Sequence, residues 1–299
     1  MFKTKLSAVA AGAALTFAAM GSAHALELIS GDYKIIFDNY DVGTTYTTAA
    51  NVAVCGGAAA NAANIASCDA AAVSPAIVGS STDSTGILSI ASITRLSDNA
   101  IYYTRGTQTV INGVTFGPYL TGVFGGIRDY FASNDALGQT TALGIGGFFN
   151  IYNNPADYTS TLGPTGAGVN LDAGTYPSIT DTGTLFLSGN FANGAAFAGQ
   201  AASYVSNFNS NTLAGSGSGF LDFTAGTAFN LFNQNNVANL NGTFNDARMS
   251  VTYQPTTVSS WDVFSSGQVT GNVAIPEPGT MALIALGLLG VGAVSRRRA

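Results

Sequence analysis

Met249-Ser250-Val251-Thr252-Tyr253 sets large apolar side chains at its odd positions and hydroxyls at its even ones. Successive side chains of an extended chain point to opposite faces, so this stretch packs one face and wets the other, as a half-buried β-strand does. The same alternation sets Leu185, Leu187 and Phe191 against Ser188 and Asn190. Outward from these two segments, short apolar and aromatic runs punctuated by Gly, Asn, Asp and Thr predict strands over residues 33–37, 86–96, 114–124, 143–152, 184–191, 218–224, 248–253 and 267–273. That many strands with so few charges predict an all-β fold, an antiparallel β-sandwich or a jelly-roll-like pair of sheets. One helix is expected near residues 197–208, where Phe197, Ala201, Tyr204, Val205 and Phe208 fall on one helical face.

Composition narrows the function. Charged residues are 9% of the 299, and Gly accounts for 37 positions, so disorder driven by high net charge is excluded. Residues 26–274 carry five cations (Lys34, Arg95, Arg105, Arg128, Arg248) against fifteen anions, a net charge of −10. Nucleic acid is not expected as a partner, because binding it needs clustered Lys and Arg. His24 is the single histidine and lies in a segment expected to be removed. Ser-His-Asp and Cys-His catalysis and His-ligated metals are therefore not expected, and no catalytic residue, metal or cofactor is assigned.

Motifs that suggest chemistry have simpler readings. Asp181-Thr182-Gly183-Thr184 has the phrase of an aspartic protease, but that chemistry needs two carboxylates sharing a proton, and the nearest echo, Asp172-Ala173-Gly174-Thr175, is too close to belong to a second lobe. It reads as a turn opening a strand. Gly215-Ser216-Gly217-Ser218-Gly219 and Gly144-Ile145-Gly146-Gly147 lack the lysine and βαβ context of phosphate loops and read as strand glycines or loops. Asp38-Asn39-Tyr40-Asp41 offers oxygen ligands that suit Ca²⁺, or simply a solvated acidic surface. A glycosidase pair is disfavoured, since the only glutamate of residues 26–274 is Glu27. Trp261, the single tryptophan, is the first place to look for a sugar-stacking face. Cys55 and Cys68 bracket a loop without aromatics or charges, and two cysteines in an exported chain are expected to pair, a bridge worth about 3 kcal/mol of loop entropy.

The two ends read as addresses. Lys3 and Lys5, the apolar run 6–20 and Ala23-His24-Ala25 predict a signal peptide over residues 1–25, cleaved by signal peptidase after Ala25. Residues 280–294 carry no charge and precede Arg296-Arg297-Arg298. As a helix that run is about 22 Å long against a hydrocarbon core of about 30 Å, a short transmembrane helix suited to transient anchoring in the inner membrane. The arginines hold the extreme C-terminus in the cytoplasm while the main domain is exported. Pro276 and Pro278 keep the peptide before the run extended and accessible.

Pro276-Glu277-Pro278-Gly279, the short Gly/Ala/Leu-rich run and the cluster Arg296, Arg297, Arg298 resemble the PEP-CTERM sorting signal of Gram-negative bacteria, over residues 275–299. The resemblance implies an exosortase as partner, cleavage near the motif, and transfer to the cell surface or extracellular matrix. It also implies bacteria that make exopolysaccharide, biofilm or flocs. The expected organisation is a signal peptide (1–25), an extracellular β-rich domain (26–274) and a sorting signal (275–299). The expected function is a non-catalytic, exported surface or matrix protein associated with exopolysaccharide, biofilm or floc formation. The alternatives are a carbohydrate-binding module for the cell's own exopolysaccharide and a secreted hydrolase using aspartates such as Asp38 and Asp181.

Overall fold

The computed structural model describes residues 31–42, 84–134, 138–197, 200–209 and 212–272. In chain order the elements are β1 (Lys34–Val42), β2 (Ser84–Thr94), β3 (Ile101–Thr104), β4 (Thr109–Ile111), β5 (Val114–Phe116), β6 (Tyr119–Asn134) and β7 (Gln139–Asn154). A one-turn helix α1 (Pro177–Thr180) follows, then β8 (Thr184–Ala192), β9 (Ala195–Phe197), β10 (Gln200–Ala202), β11 (Tyr204–Asn209) and β12 (Gly215–Ala225). The chain continues through α2 (Phe229–Phe232), β13 (Val237–Ala238), β14 (Phe244–Asn245), β15 (Ala247–Pro255) and β16 (Val263–Thr270).

These strands close into an eight-stranded antiparallel barrel, which overturns the expected sandwich or jelly roll. The deciding strand is β1. Ile35 lies opposite Val269 of β16 on one side and Ile93 of β2 on the other, so the first and last strands pair and no sheet edge remains between them. Wall neighbours are also neighbours along the chain, the up-and-down arrangement. Two wall positions are each filled by two segments. Residues 84–89 of β2 pair with β6 and residues 92–94 with β3, the β4–β5 hairpin being inserted between those two. Likewise, β12 pairs with β11 through residues 215–219 and with β8 through residues 220–225, the β9–β10 hairpin lying between. Alternation looks the same in a barrel and in a sandwich, because each buries one face of every strand.

Seven of the expected strands fall on the wall with shifted or extended bounds, while the expected strand over 114–124 is two elements, β5 of the inserted hairpin and the start of β6. Among the described residues the expected helix near 197–208 is replaced by strands: Phe197 ends β9, 200–202 form β10 and 204–208 lie in β11, where Tyr204, Ser206 and Phe208 share the inward face at period two. One position within β7 needs a glycine. Gly147 sits at φ +103°, and a Cβ there would meet Ile127 and Phe191 at 2.7 and 2.8 Å.

Inside the barrel the core is Ile35, Phe37, Ile90, Phe149, Leu221 and their neighbours. One end is sealed by aromatics. Tyr33 and Phe232 meet edge to face at 4.9 Å, Phe116 and Phe186 at 5.0 Å, and Phe223 and Phe232 at 6.0 Å. Each of these buried rings contributes about 1.5–3 kcal/mol through removal from water. Under the same end, buried Asp246 accepts backbone N–H bonds from Phe223 (2.7 Å), Gln234 (2.5 Å) and Asn235 (2.7 Å), tying the segment after α2 to the wall. The start of β1 and the end of β16 meet here: Gly271 N–H bonds the Tyr33 carbonyl, and the Asn272 side-chain amide donates to the Asn236 carbonyl.

Two further clusters coat the outside. Residues 155–183 and the turn before β16 pack Trp261, Tyr176, Ile179 and Leu171 against Ile87 and Val123. The β9–β10 hairpin covers Tyr130, Leu143, Val205 and Phe220.

Candidate functional site

Alternation along β1 sends Ile35, Phe37, Asn39 and Asp41 into the lumen and turns Asp38 outward. Asp38 bonds Arg105 at 3.0 Å, and Arg105 also reaches the Ser89 and Ile90 carbonyls and lies 3.8 Å from Asp157. Asp38 and Asp41 thus stand on opposite faces of one strand, and the Asp38–Asp41 stretch does not converge on a shared ion. Among the described residues, no three Asp, Glu, His or Cys gather as metal ligands.

The lumen holds a void of about 90 Å³ with walls that are mostly apolar, among them Phe37, Leu88, Phe149 and Val251. A second void of about 50 Å³ lies at the end away from the aromatic seal, lined by Asp41, Ser84, Asp129, Tyr204, Ser206 and Tyr253. Asp41, Ser84 and Tyr204 line both, so the two adjoin. Asn39, 4% exposed, donates its Nδ2 to Asp41 Oδ2 at 3.1 Å. Its Oδ1, the Oδ1 of Asp41 and the hydroxyl of Ser265 are buried without a partner among the described residues.

Burial pushes the Asp41 carboxyl well above the usual carboxylate range; the charge of Asp262 adds to this and the Asn39 amide opposes it. Tyr204 is likewise raised, first by burial and then by Tyr253, Asp41 and Asp129. Tyr253, hydrogen-bonded to Ser206, is raised by burial too, with Asp41 and Asp129 adding to the shift. An eight-stranded barrel is just wide enough to be filled by its own side chains or to hold one small ligand.

A second concavity, about 510 Å³, lies on the outer face of β11, β12, β15, β16 and β1. Register aligns Val205, Ser218, Ser250, Gln268 and Ile36 in one row across five strands, and Asn207, Ser216, Thr252 and Ser266 in the next. The result is a shallow surface of hydroxyls and amides with apolar ends.

The other residues singled out from sequence lie apart from both places. Trp261 is 2% exposed; its indole N–H bonds the Ser160 carbonyl at 2.8 Å, and Tyr40 and Tyr176 stand beside its ring. It offers no free face to a sugar. Asp181 is exposed at the end of α1 and accepts the Thr180 hydroxyl, while Thr182 bonds Asn154 across the turn into β8. The two glycine-rich stretches lie within β12 and β7. Cys55, Cys68, the signal-peptide residues and the motif residues Pro276, Glu277, Pro278, Gly279, Arg296, Arg297 and Arg298 lie outside the described residues. The inward Asn39, Asp41, Tyr204 and Tyr253 were not foreseen as a group, because which strand face meets the lumen depends on closure.

The described residues thus define a small up-and-down barrel with an apolar lumen and an acidic end. The PEP-CTERM protein-sorting motif matches residues 274–298, and the chain is accordingly an exported protein sorted by an exosortase, with transient anchoring at its C-terminus. No curated protein and no solved structure matches it. Among the described residues no helix is long and apolar enough to cross a membrane.

Proposed function

We propose that this protein is a non-catalytic barrel displayed on the cell surface or in the extracellular matrix after exosortase processing, where it contributes to exopolysaccharide, biofilm or floc formation. The observation that carries this reading is the polarity of the barrel: β16 ends at Thr270 on the aromatic-sealed end, and the sorting motif begins four residues later. Attachment through that tail points the acidic end outward. Non-catalysis is supported by the placement of the candidate aspartates, Asp38 held by Arg105 and Asp181 at an exposed turn. Deletion of residues 275–299 spares β16 and is expected to release the protein into the periplasm or medium; unchanged processing and retention would contradict the sorting assignment.

The outer hydroxyl surface favours a second reading, a module for the cell's own exopolysaccharide. Its volume is in the range of ligand clefts, and rows of Ser, Thr, Asn and Gln suit sugar hydroxyls. Titration with the isolated polymer tests it: Ser250→Trp, which fills the groove, should abolish saturable binding. Binding that survives this change, or no binding by the unaltered protein, removes the reading.

A further inference from the structure

The lumen is an apolar cavity with an acidic head. Around it stand Asn39 and Asp41 from β1, Ser84 from β2, Asp129 from β6, Tyr204 and Ser206 from β11, and Tyr253 from β15, with Asp262 acting on Asp41 from the turn before β16. No lysine or arginine lines either void among the described residues. Asn39 has turned its amide N–H toward Asp41, which leaves its own Oδ1 and Asp41 Oδ1 as buried acceptors with nothing to accept from among the described residues. An unpaired buried polar atom costs about 1–3 kcal/mol, so this end is poised for a group that brings several N–H bonds at once.

Charge and size then define that group. A carboxylate or phosphate would bring only acceptors to Asn39 Oδ1 and Asp41 Oδ1. An alcohol brings one donor for two acceptors. A primary ammonium brings three donors and a positive charge, and tyrosine rings favour cations nearby. The main void, about 90 Å³, exceeds the roughly 30 Å³ that one water occupies in the liquid and falls below the roughly 150 Å³ of a cavity that takes benzene. It has room for a body of a few carbons.

We propose that the barrel lumen is a binding site for small primary alkylamines, the ammonium held by Asn39 and Asp41 beside Tyr204 and Tyr253 and the alkyl body lying among Phe37, Leu88 and Val251. This site is independent of the sorting reading, because it depends only on the barrel.

The test uses the protein as its host exports it, titrated calorimetrically with n-butylammonium, n-butanol and butyrate at about pH 8, below the ordinary amine pKa of about 10. Butylammonium should bind saturably, at least about tenfold more tightly than butanol; butyrate should not bind. Asp41→Asn should weaken butylammonium by at least about tenfold. No saturable binding, or equal affinity for the three ligands, overturns the proposal and leaves water as the occupant. Should Asp41→Asn fail to fold, the three-ligand comparison on the unaltered protein still decides.

Discussion

At one end of the barrel Tyr33, Phe186, Phe223 and Phe232 meet edge to face and exclude water; at the other Asn39, Asp41, Tyr204 and Tyr253 turn toward the same lumen and leave acceptors unpaired. Six wall positions run through both ends, while beside β2 and β12 the wall is completed by β3 and β8 toward the seal and by β6 and β11 toward the acidic end, so the contrast comes from that change of segment together with single inward positions. Stability is concentrated where the rings interlock and the Asp246 carboxylate is saturated with N–H donors. The acidic end gives up stability, as sites built for a ligand commonly do.

The largest effect that would test this contrast comes from Phe232→Ala. It removes a fully buried ring touching Tyr33, Phe186 and Phe223, and is expected to cost about 3–5 kcal/mol, a fall in Tm of about 10 °C or more. A loss below about 1 kcal/mol would mean the seal is not where stability resides. Asp246→Ala should follow, at about 2–4 kcal/mol, by stranding the three N–H groups it accepts from, read as a lowered midpoint in urea with an unchanged slope.

At the acidic end the sign reverses. A carboxyl whose folded pKa lies above its unfolded value binds more protons when folded, so its contribution is most favourable at low pH and is lost as pH rises through the folded pKa. Asp41→Asn is therefore expected to raise Tm at about pH 8, by roughly 2–4 °C for each kcal/mol recovered, and the gain should shrink as pH falls toward about 4, the ordinary carboxylate value. A lower Tm at the higher pH would contradict the unpaired-acceptor account. The smallest effect is expected from Ile101→Ser in β3, 63% exposed, which should change stability by no more than about 0.5 kcal/mol because its side chain lies outside the seal.

Much of this contrast is invisible before closure is known. Period two in residues 249–253 and 184–191 reveals strands, because alternation is a local property. The pairing of Ile35 with Val269 joins residues from opposite ends of the fold and leaves no local trace, and so sandwich and barrel read alike. The stretch 197–208 reads as a helix because Phe197, Ala201, Tyr204, Val205 and Phe208 sit at helical spacing; in the fold Tyr204 and Phe208 point to the lumen while Val205 packs under the β9–β10 hairpin. Asp41 could be picked out as an oxygen ligand but not as an inward residue. The sorting motif over residues 274–298 was legible, since an enzyme that reads a short peptide needs only local sequence.

Closure of the wall is the central claim, and nuclear Overhauser contacts of β1 test it most directly. The barrel predicts cross-strand contacts from Ile35 to both Ile93 and Val269, and slow amide exchange along both sides of β1. Contacts to β2 alone, with every second amide of β1 exchanging freely as on a sheet edge, would contradict it.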